Sequence, residues 1–211
     1  MENILKYNYI LNKTNLTFFE VLERKTKFPY LNPFVNYGCE KFCEEIIAPN
    51  LNLNFVLKKE DLEIIRFVII DERNFNGKID FLEELINLEY LYISGINGVG
   101  KTSNLTPLKN LKKIKYIDIH NCSIDDLTPI SGLTEIEYLL LSDNPVKTIK
   151  PISHFKKLRK IKLFFQADYR KEERLTYNDS EFEELKKNSI NCEIEFTAFN
   201  SESNEYYTKV L

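Results

Sequence analysis

Residues 95–102 read Gly95-Ile-Asn-Gly-Val-Gly-Lys-Thr102 and satisfy the pattern G-x-x-x-x-G-K-[ST]. In a phosphate-binding loop the backbone N–H groups of such a segment cradle phosphates, the lysine reaches the terminal phosphates and the hydroxyl holds magnesium. Lys101 and Thr102 would take those roles, and Tyr116-Ile-Asp118 would supply the acidic strand for the metal. That chemistry needs a helix starting at the lysine, so that its free N–H groups face the phosphate. Pro107 intervenes where that helix would run, so the confirming context is missing. His120 has no nucleophile or carboxylate at a spacing that defines a relay, and no catalytic residue is assigned. The four cysteines, Cys39, Cys43, Cys122 and Cys192, lack the paired spacing of a zinc site or a dense disulfide framework. They read as buried thiols, and neither a metal nor a cofactor is expected.

The elements that carry these residues follow from an internal repeat. Leu111, Leu133 and Phe155 head segments spaced by 22 residues. Within the first, Ile114, Ile117, Ile119, Cys122, Ile124, Leu127, Pro129 and Ile130 reappear one repeat later as Ile136, Leu139, Leu141, Asn144, Val146, Ile149, Pro151 and Ile152. Upstream, Leu85, Leu88, Leu91 and Ile93 open a unit of 26 residues that closes with Leu105, Pro107 and Leu108. Leu62, Ile65, Val68 and Ile70 open another, closing with Ile79, Phe81 and Leu82, and a further unit starts at Phe155 with Leu158, Ile161 and Leu163 before drifting. The pattern is L-x-x-L-x-L-x-x-N/C-x-L. In this register the glycines of residues 95–100 enlarge a repeat loop, which accounts for the phosphate-loop match without a phosphate.

A single repeat cannot bury its own apolar face, so the units must stack and the two ends must be covered. One domain is expected. Residues 1–61 form an N-terminal cap with helices around Thr17–Arg24 and Asn36–Ile47, which would cover the first repeat's open edge. Residues 62–176 form the repeats. Residues 177–199 form a C-terminal cap, with Ser180 and Glu183 as a capping box before Phe182 and Leu185, and Cys192, Ile194 and Phe196 alternating as a final strand. Residues 200–211 read as a loose tail.

At these motifs the chain resembles the leucine-rich-repeat family, in particular the 22-residue class of the bacterial internalins, whose repeats close with a Leu-x-Pro-Leu turn. Residues 62–163, about half the chain, carry the resemblance. It implies an α/β fold, a curved leucine-rich-repeat solenoid with a parallel β-sheet on its concave side, and a use in binding proteins.

Side chains alternate faces along a strand, so the residues between the buried positions point out from the concave sheet. One slot, read through successive repeats, gives Phe67, Tyr90, Tyr116, Tyr138 and Lys160, a column of four aromatic rings. The adjacent slots give Ile69, Tyr92, Asp118, Leu140 and Lys162, then Asp71, Ser94, His120, Ser142 and Phe164. Tyrosine and phenylalanine bring large contact area with few rotors to freeze. Phe67, Tyr90, Tyr92, Tyr116, Asp118, His120, Tyr138, Leu140, Lys160, Lys162 and Phe164 are therefore the expected partner-binding residues. Asp71, Glu72, Asp118 and Asp143 toward the earlier repeats, against Lys160 and Lys162 at the later end, give the face a polarity that would orient a partner.

The formal charge of −3 advertises neither nucleic acid nor a membrane surface. The N-terminal residues carry no apolar segment of signal-peptide length and no later stretch has the length of a membrane span, so a cytoplasmic location is expected. The functional expectation is a module that binds and blocks a target protein, as an immunity protein or a phage anti-defence inhibitor of anti-CRISPR type would. Two other classes compete. One is a nucleotide-binding protein resting on Gly95–Thr102, and the other an RNA-binding protein using a rim of Lys112, Lys113, Lys156, Lys157 and Arg159.

Overall fold

A computed structural model describes residues 2–14, 16–27, 55–71, 76–95, 100–163, 177–200 and 205–211. The expected helix around Asn36–Ile47, with Cys39 and Cys43, lies outside them, as do Glu72 and Phe164. The described elements are helices α1 (Glu2–Lys13), α2 (Phe18–Lys27), α3 (Lys59–Leu62) and α4 (Glu183–Asn188). The strands are β1 (Phe67–Asp71), β2 (Tyr90–Ser94), β3 (Tyr116–His120), β4 (Tyr138–Leu140), β5 (Lys160–Leu163), β6 (Glu193–Asn200) and β7 (Glu205–Val210).

The seven strands form one sheet in chain order, parallel from β1 through β6. The first four parallel crossovers return through a 3-10 turn, at Asp80–Glu84, Thr106–Leu108, Thr128–Ile130 and Lys150–Ile152. Pro107, Pro129 and Pro151 sit in the first turn of the last three. There the missing N–H costs nothing, because no carbonyl awaits it. Every aliphatic repeat position from Ile65 to Leu163 enters a single core, with Ile117, Leu139 and Ile161 stacked between neighbouring coils and fully buried. The architecture is the leucine-rich-repeat α/β solenoid expected from the spacing.

Polar repeat positions close the turns. Asn144, 3% exposed, accepts from the Ile124 N–H at 3.1 Å and donates to the Ile119 and Ser142 carbonyls at 2.7 and 3.1 Å. It thus satisfies loop backbone that has no ladder partner. Asn121 and Asp143 hold the same slot one repeat apart, at φ 54° and 56°. That left-handed conformation is one Asn and Asp tolerate better than other side chains.

The N-terminal end differs from expectation. The first helix is α1, which the low helix propensity of its asparagines conceals. It lies along the free edge of β1, where Asn8 and Asn12 face the strand one helical turn apart. Asn8 accepts from the Ile69 N–H at 2.8 Å and donates to the Ile69 carbonyl at 3.3 Å. Asn12 donates to the Phe67 carbonyl at 2.8 Å and accepts from the Arg66 and Phe67 N–H groups at 2.8 and 3.1 Å. Two side-chain amides thereby do the work of a neighbouring strand and blunt an edge that would otherwise template association. The helix expected around Thr17–Arg24 exists as α2, opened by a capping box in which the Thr17 N–H donates to Glu20 at 2.7 Å and the Glu20 N–H to the Thr17 hydroxyl at 3.3 Å. It does not cover the edge; it lies on the sheet face that carries Phe67, Tyr90 and Tyr116.

At the C-terminal end Ile194 and Phe196 of β6, and Cys192 just before it, are buried, as their alternation requires. The capping box is Asn178 with Glu181, two residues earlier than Ser180 with Glu183, because a 3-10 turn (Asp179–Phe182) precedes α4. Residues 205–210 are not a tail. They form β7, antiparallel to β6 from Glu195↔Val210 to Asn200↔Glu205, and Lys209 reaches back to Asp179 at 2.7 Å.

Candidate functional site

Parallel pairing places the columns in the register that the repeat spacing requires. Phe67, Tyr90, Tyr116, Tyr138 and Lys160 are successive Cα partners, as are Ile69, Tyr92, Asp118, Leu140 and Lys162. Neighbouring rings follow one another along the first column, with centroids 6.4 Å apart for Tyr90 and Tyr116 and 5.8 Å for Tyr116 and Tyr138.

The first part of this column is covered by the chain itself. Phe18 of α2 stacks on Tyr90 at 5.2 Å and 21°, and meets Tyr116 at 5.3 Å and Phe67 at 5.9 Å. Val21 of α2 and Tyr7 and Leu11 of α1 complete an apolar cluster over the sheet, distinct from the solenoid core. Phe67, Tyr92 and Tyr116 are therefore buried, 6 to 8% exposed, and Tyr90 is half-buried. These four were expected to be open to a partner. The difference arises because α2 packs across the sheet rather than along its edge. Burial, reinforced by the Asp118 carboxylate, pushes the Tyr116 hydroxyl far above its ordinary range. Tyr138 and Leu140 lie at the margin of the cluster, half-buried.

His120 does have a carboxylate partner, contrary to the spacing argument. Asp118, two residues earlier on the same strand face, approaches its Nδ1 at 3.2 Å, and the Tyr92 hydroxyl lies 3.4 Å from its Nε2. With a proton on Nδ1 the imidazole donates to the Asp118 carboxylate. This chain of polar groups fixes the imidazole beside the aromatic cluster. Among the described residues, no group of three His, Cys, Asp or Glu side chains is placed to hold a metal ion.

The basic end of the face is also occupied. β6 aligns Glu193 with Lys160 and Glu195 with Lys162. Lys160 pairs with Glu193 at 2.7 Å and Glu195 at 3.6 Å, and Lys162 with Glu195 at 2.9 Å. Sequence reasoning missed both glutamates, although they alternate with Cys192, Ile194 and Phe196. Partial burial opposes ionisation of Glu195, but the Lys162 hydrogen bond and the two lysine charges outweigh it and hold the carboxyl below its ordinary 4.5. A carboxylate whose pKa is lowered by folding stabilises the fold above its unfolded pKa, and that contribution disappears as pH falls through the folded value. Wild type is therefore expected to lose more stability than Glu195→Gln as pH drops from about 5 to 3, by up to about 1 kcal/mol for this partly exposed cluster. Urea midpoints of the two proteins across that window check it, and parallel curves would refute it.

The described residues of the phosphate-loop pattern, Gly95 and residues 100–102, are built into the solenoid. Thr102 is fully buried, with its hydroxyl 3.4 Å from the Gly77 carbonyl. The Ser123 N–H donates to the Thr102 carbonyl at 2.9 Å and the Ser123 hydroxyl to the Gly100 carbonyl at 2.7 Å. No helix starts at Lys101; the next element is the 3-10 turn at Thr106–Leu108. Residues 100–102 are thus bonded to a coil on either side.

The lysine rim is largely spent on inter-coil contacts. Lys157 pairs with Glu135 at 2.6 Å and Arg159 with Glu137 at 3.1 Å. Lys112 donates to the Lys109 and Gly132 carbonyls at 3.0 and 3.1 Å, and Lys113 to Asn87 at 2.6 Å.

No protein-family model and no curated protein matches the chain. Among solved structures it is similar to an internalin (inlF) of Listeria monocytogenes at 19% identity, over 71% of this chain and 52% of that one, with a TM-score of 0.37. It is also similar to internalin C2 (inlC2) of the same species at 18% identity, over 55% of this chain and 68% of that one, with a TM-score of 0.27. The chain spans about half the length of the first of these internalins.

Proposed function

We propose that this chain is a protein-binding leucine-rich-repeat module whose concave face engages a target protein and blocks it, as an immunity protein or an anti-CRISPR-type inhibitor does, in the cytoplasm. The observation that carries this reading is the register of the parallel sheet, which aligns aromatic, aliphatic and charged columns across successive strands of one face. Tyr138, Leu140, Asp118 and His120 form the part of that face beyond the rings under α2, and a half-buried tyrosine beside a half-buried leucine supplies an apolar anchor with a polar surround. No described helix is long and apolar enough to cross a membrane. The buried Thr102 weighs against a nucleotide site, and the paired rim lysines weigh against an RNA site.

Tyr138→Ala combined with Leu140→Ala is expected to weaken binding of a captured partner about a thousandfold, since central anchors cost about 2 kcal/mol or more each on truncation. Lys156→Ala, on the rim, is expected to alter only association rate and salt dependence. Calorimetric affinity measures the first, with circular dichroism to verify folding. Unchanged affinity in the folded double variant would remove the concave face from the reading.

A further inference from the structure

Helix α2 shows what the concave face accepts. Its Phe18 and Phe19 both reach the column, Phe19 meeting Tyr90 and Tyr116 edge-on at 5.7 and 5.6 Å while remaining 52% exposed. Val21, next but one along the helix, is fully buried in the same cluster. A helix of ten residues has marginal order in isolation, so α2 depends on the sheet for its stability. The stacked aliphatics of the repeats form a separate core that none of the described side chains of α2 enters.

We propose that the concave aromatic column is a helix-docking surface held in cis by α2, and that the partner presents an amphipathic helix with an aromatic pair and a following aliphatic that takes α2's place. This rests on the protein-binding reading and narrows it to one kind of partner. A tethered helix competes at an effective concentration of about millimolar, so a helix making only α2's contacts does not displace it at micromolar levels. The partner's additional contacts come from the adjoining Tyr138 and Leu140. Its apparent affinity is reduced by the fraction of molecules in which α2 remains docked.

The test uses a fluorescein-labelled peptide of residues 14–27, the resident helix itself, titrated into the full chain. Phe18→Ala with Val21→Ala removes the anchors of α2 and leaves the sheet untouched. The peptide is expected to bind this variant at least tenfold more tightly than wild type, and adding Tyr90→Ala is expected to abolish the gain. Phe19→Ala alone, which removes a half-exposed ring, is expected to give a several-fold gain. Equal affinity in wild type and both helix variants overturns the proposal. Loss of amide protection in β1 to β3 of the helix variants also overturns it, since α2 would then be part of the structural core. Either failure leaves the partner affinities of the Tyr138 and Leu140 variant as a separate measurement, so failure here and failure of the protein-binding reading are distinguishable.

Discussion

Replacing Gly100 with alanine is expected to destabilise the chain by about 3 kcal/mol or more, while Lys101→Ala changes stability by less than about 0.5 kcal/mol and leaves partner capture intact. A Cβ on Gly100 would sit 2.0 Å from the Asn121 carbonyl oxygen and 2.4 Å from the Cys122 Cα. Those are backbone atoms of the next coil, and no rotamer moves them away. Gly95 is placed in the same way, 1.9 Å from the Asn121 oxygen. These glycines let one coil approach the next closely, and they are required for contact rather than for a special φ. Lys101 is exposed, and the alanine keeps its Cβ. A phosphate loop reverses this ranking, because its lysine carries ligand affinity. Urea unfolding of both variants, with magnesium-ATP titration of wild type and Lys101→Ala, separates the two. A Gly100→Ala protein as stable as wild type, or nucleotide binding lost in Lys101→Ala, would contradict the expectation.

Asn8→Leu is expected to cost about 3 kcal/mol, a large share of the roughly 5–15 kcal/mol that holds a domain folded. Asn8 is fully buried, and its amide is the partner of both the Ile69 N–H and the Ile69 carbonyl. A leucine of similar size removes both of these hydrogen bonds at a buried site, at about 1–3 kcal/mol each. Asn12→Leu is expected to cost less, because its site is partly exposed and water can replace the amide. Denaturant midpoints and the exchange rate of the Ile69 amide give the measurement. An Asn8→Leu protein with unchanged midpoint and protected Ile69 would show that α1 does not close the strand edge.

The spacing of Leu111, Leu133 and Phe155 made the sheet register legible, because a repeat of constant length fixes which residues become neighbours across strands. What covers the sheet was not legible. The apolar stripe of Phe18 and Val21 requires a surface to dock on, but the repeat core and the concave column both offer one, and local pattern does not choose between them. The asparagines of α1 hide its helix, since their role depends on a strand 55 and 61 residues away. Glu193 and Glu195 face Lys160 and Lys162 only because β6 rejoins the sheet after a stretch that breaks the 22-residue rhythm. An alternating strand pattern alone does not specify that pairing.

Chain-order pairing also bears on how the protein emerges from the ribosome. Synthesis delivers the N-terminal residues first, and each parallel strand pairs with the one made just before it. The amides of α1 are already present when β1 appears, so the older side of the growing sheet can be sealed from the outset. At each stage only the newest strand offers an unpaired side, and the next coil to leave the exit tunnel takes it up. The nascent chain thus needs no long-range search to find its order. The reversal at β7 departs from this order by turning residues 205–210 back along β6.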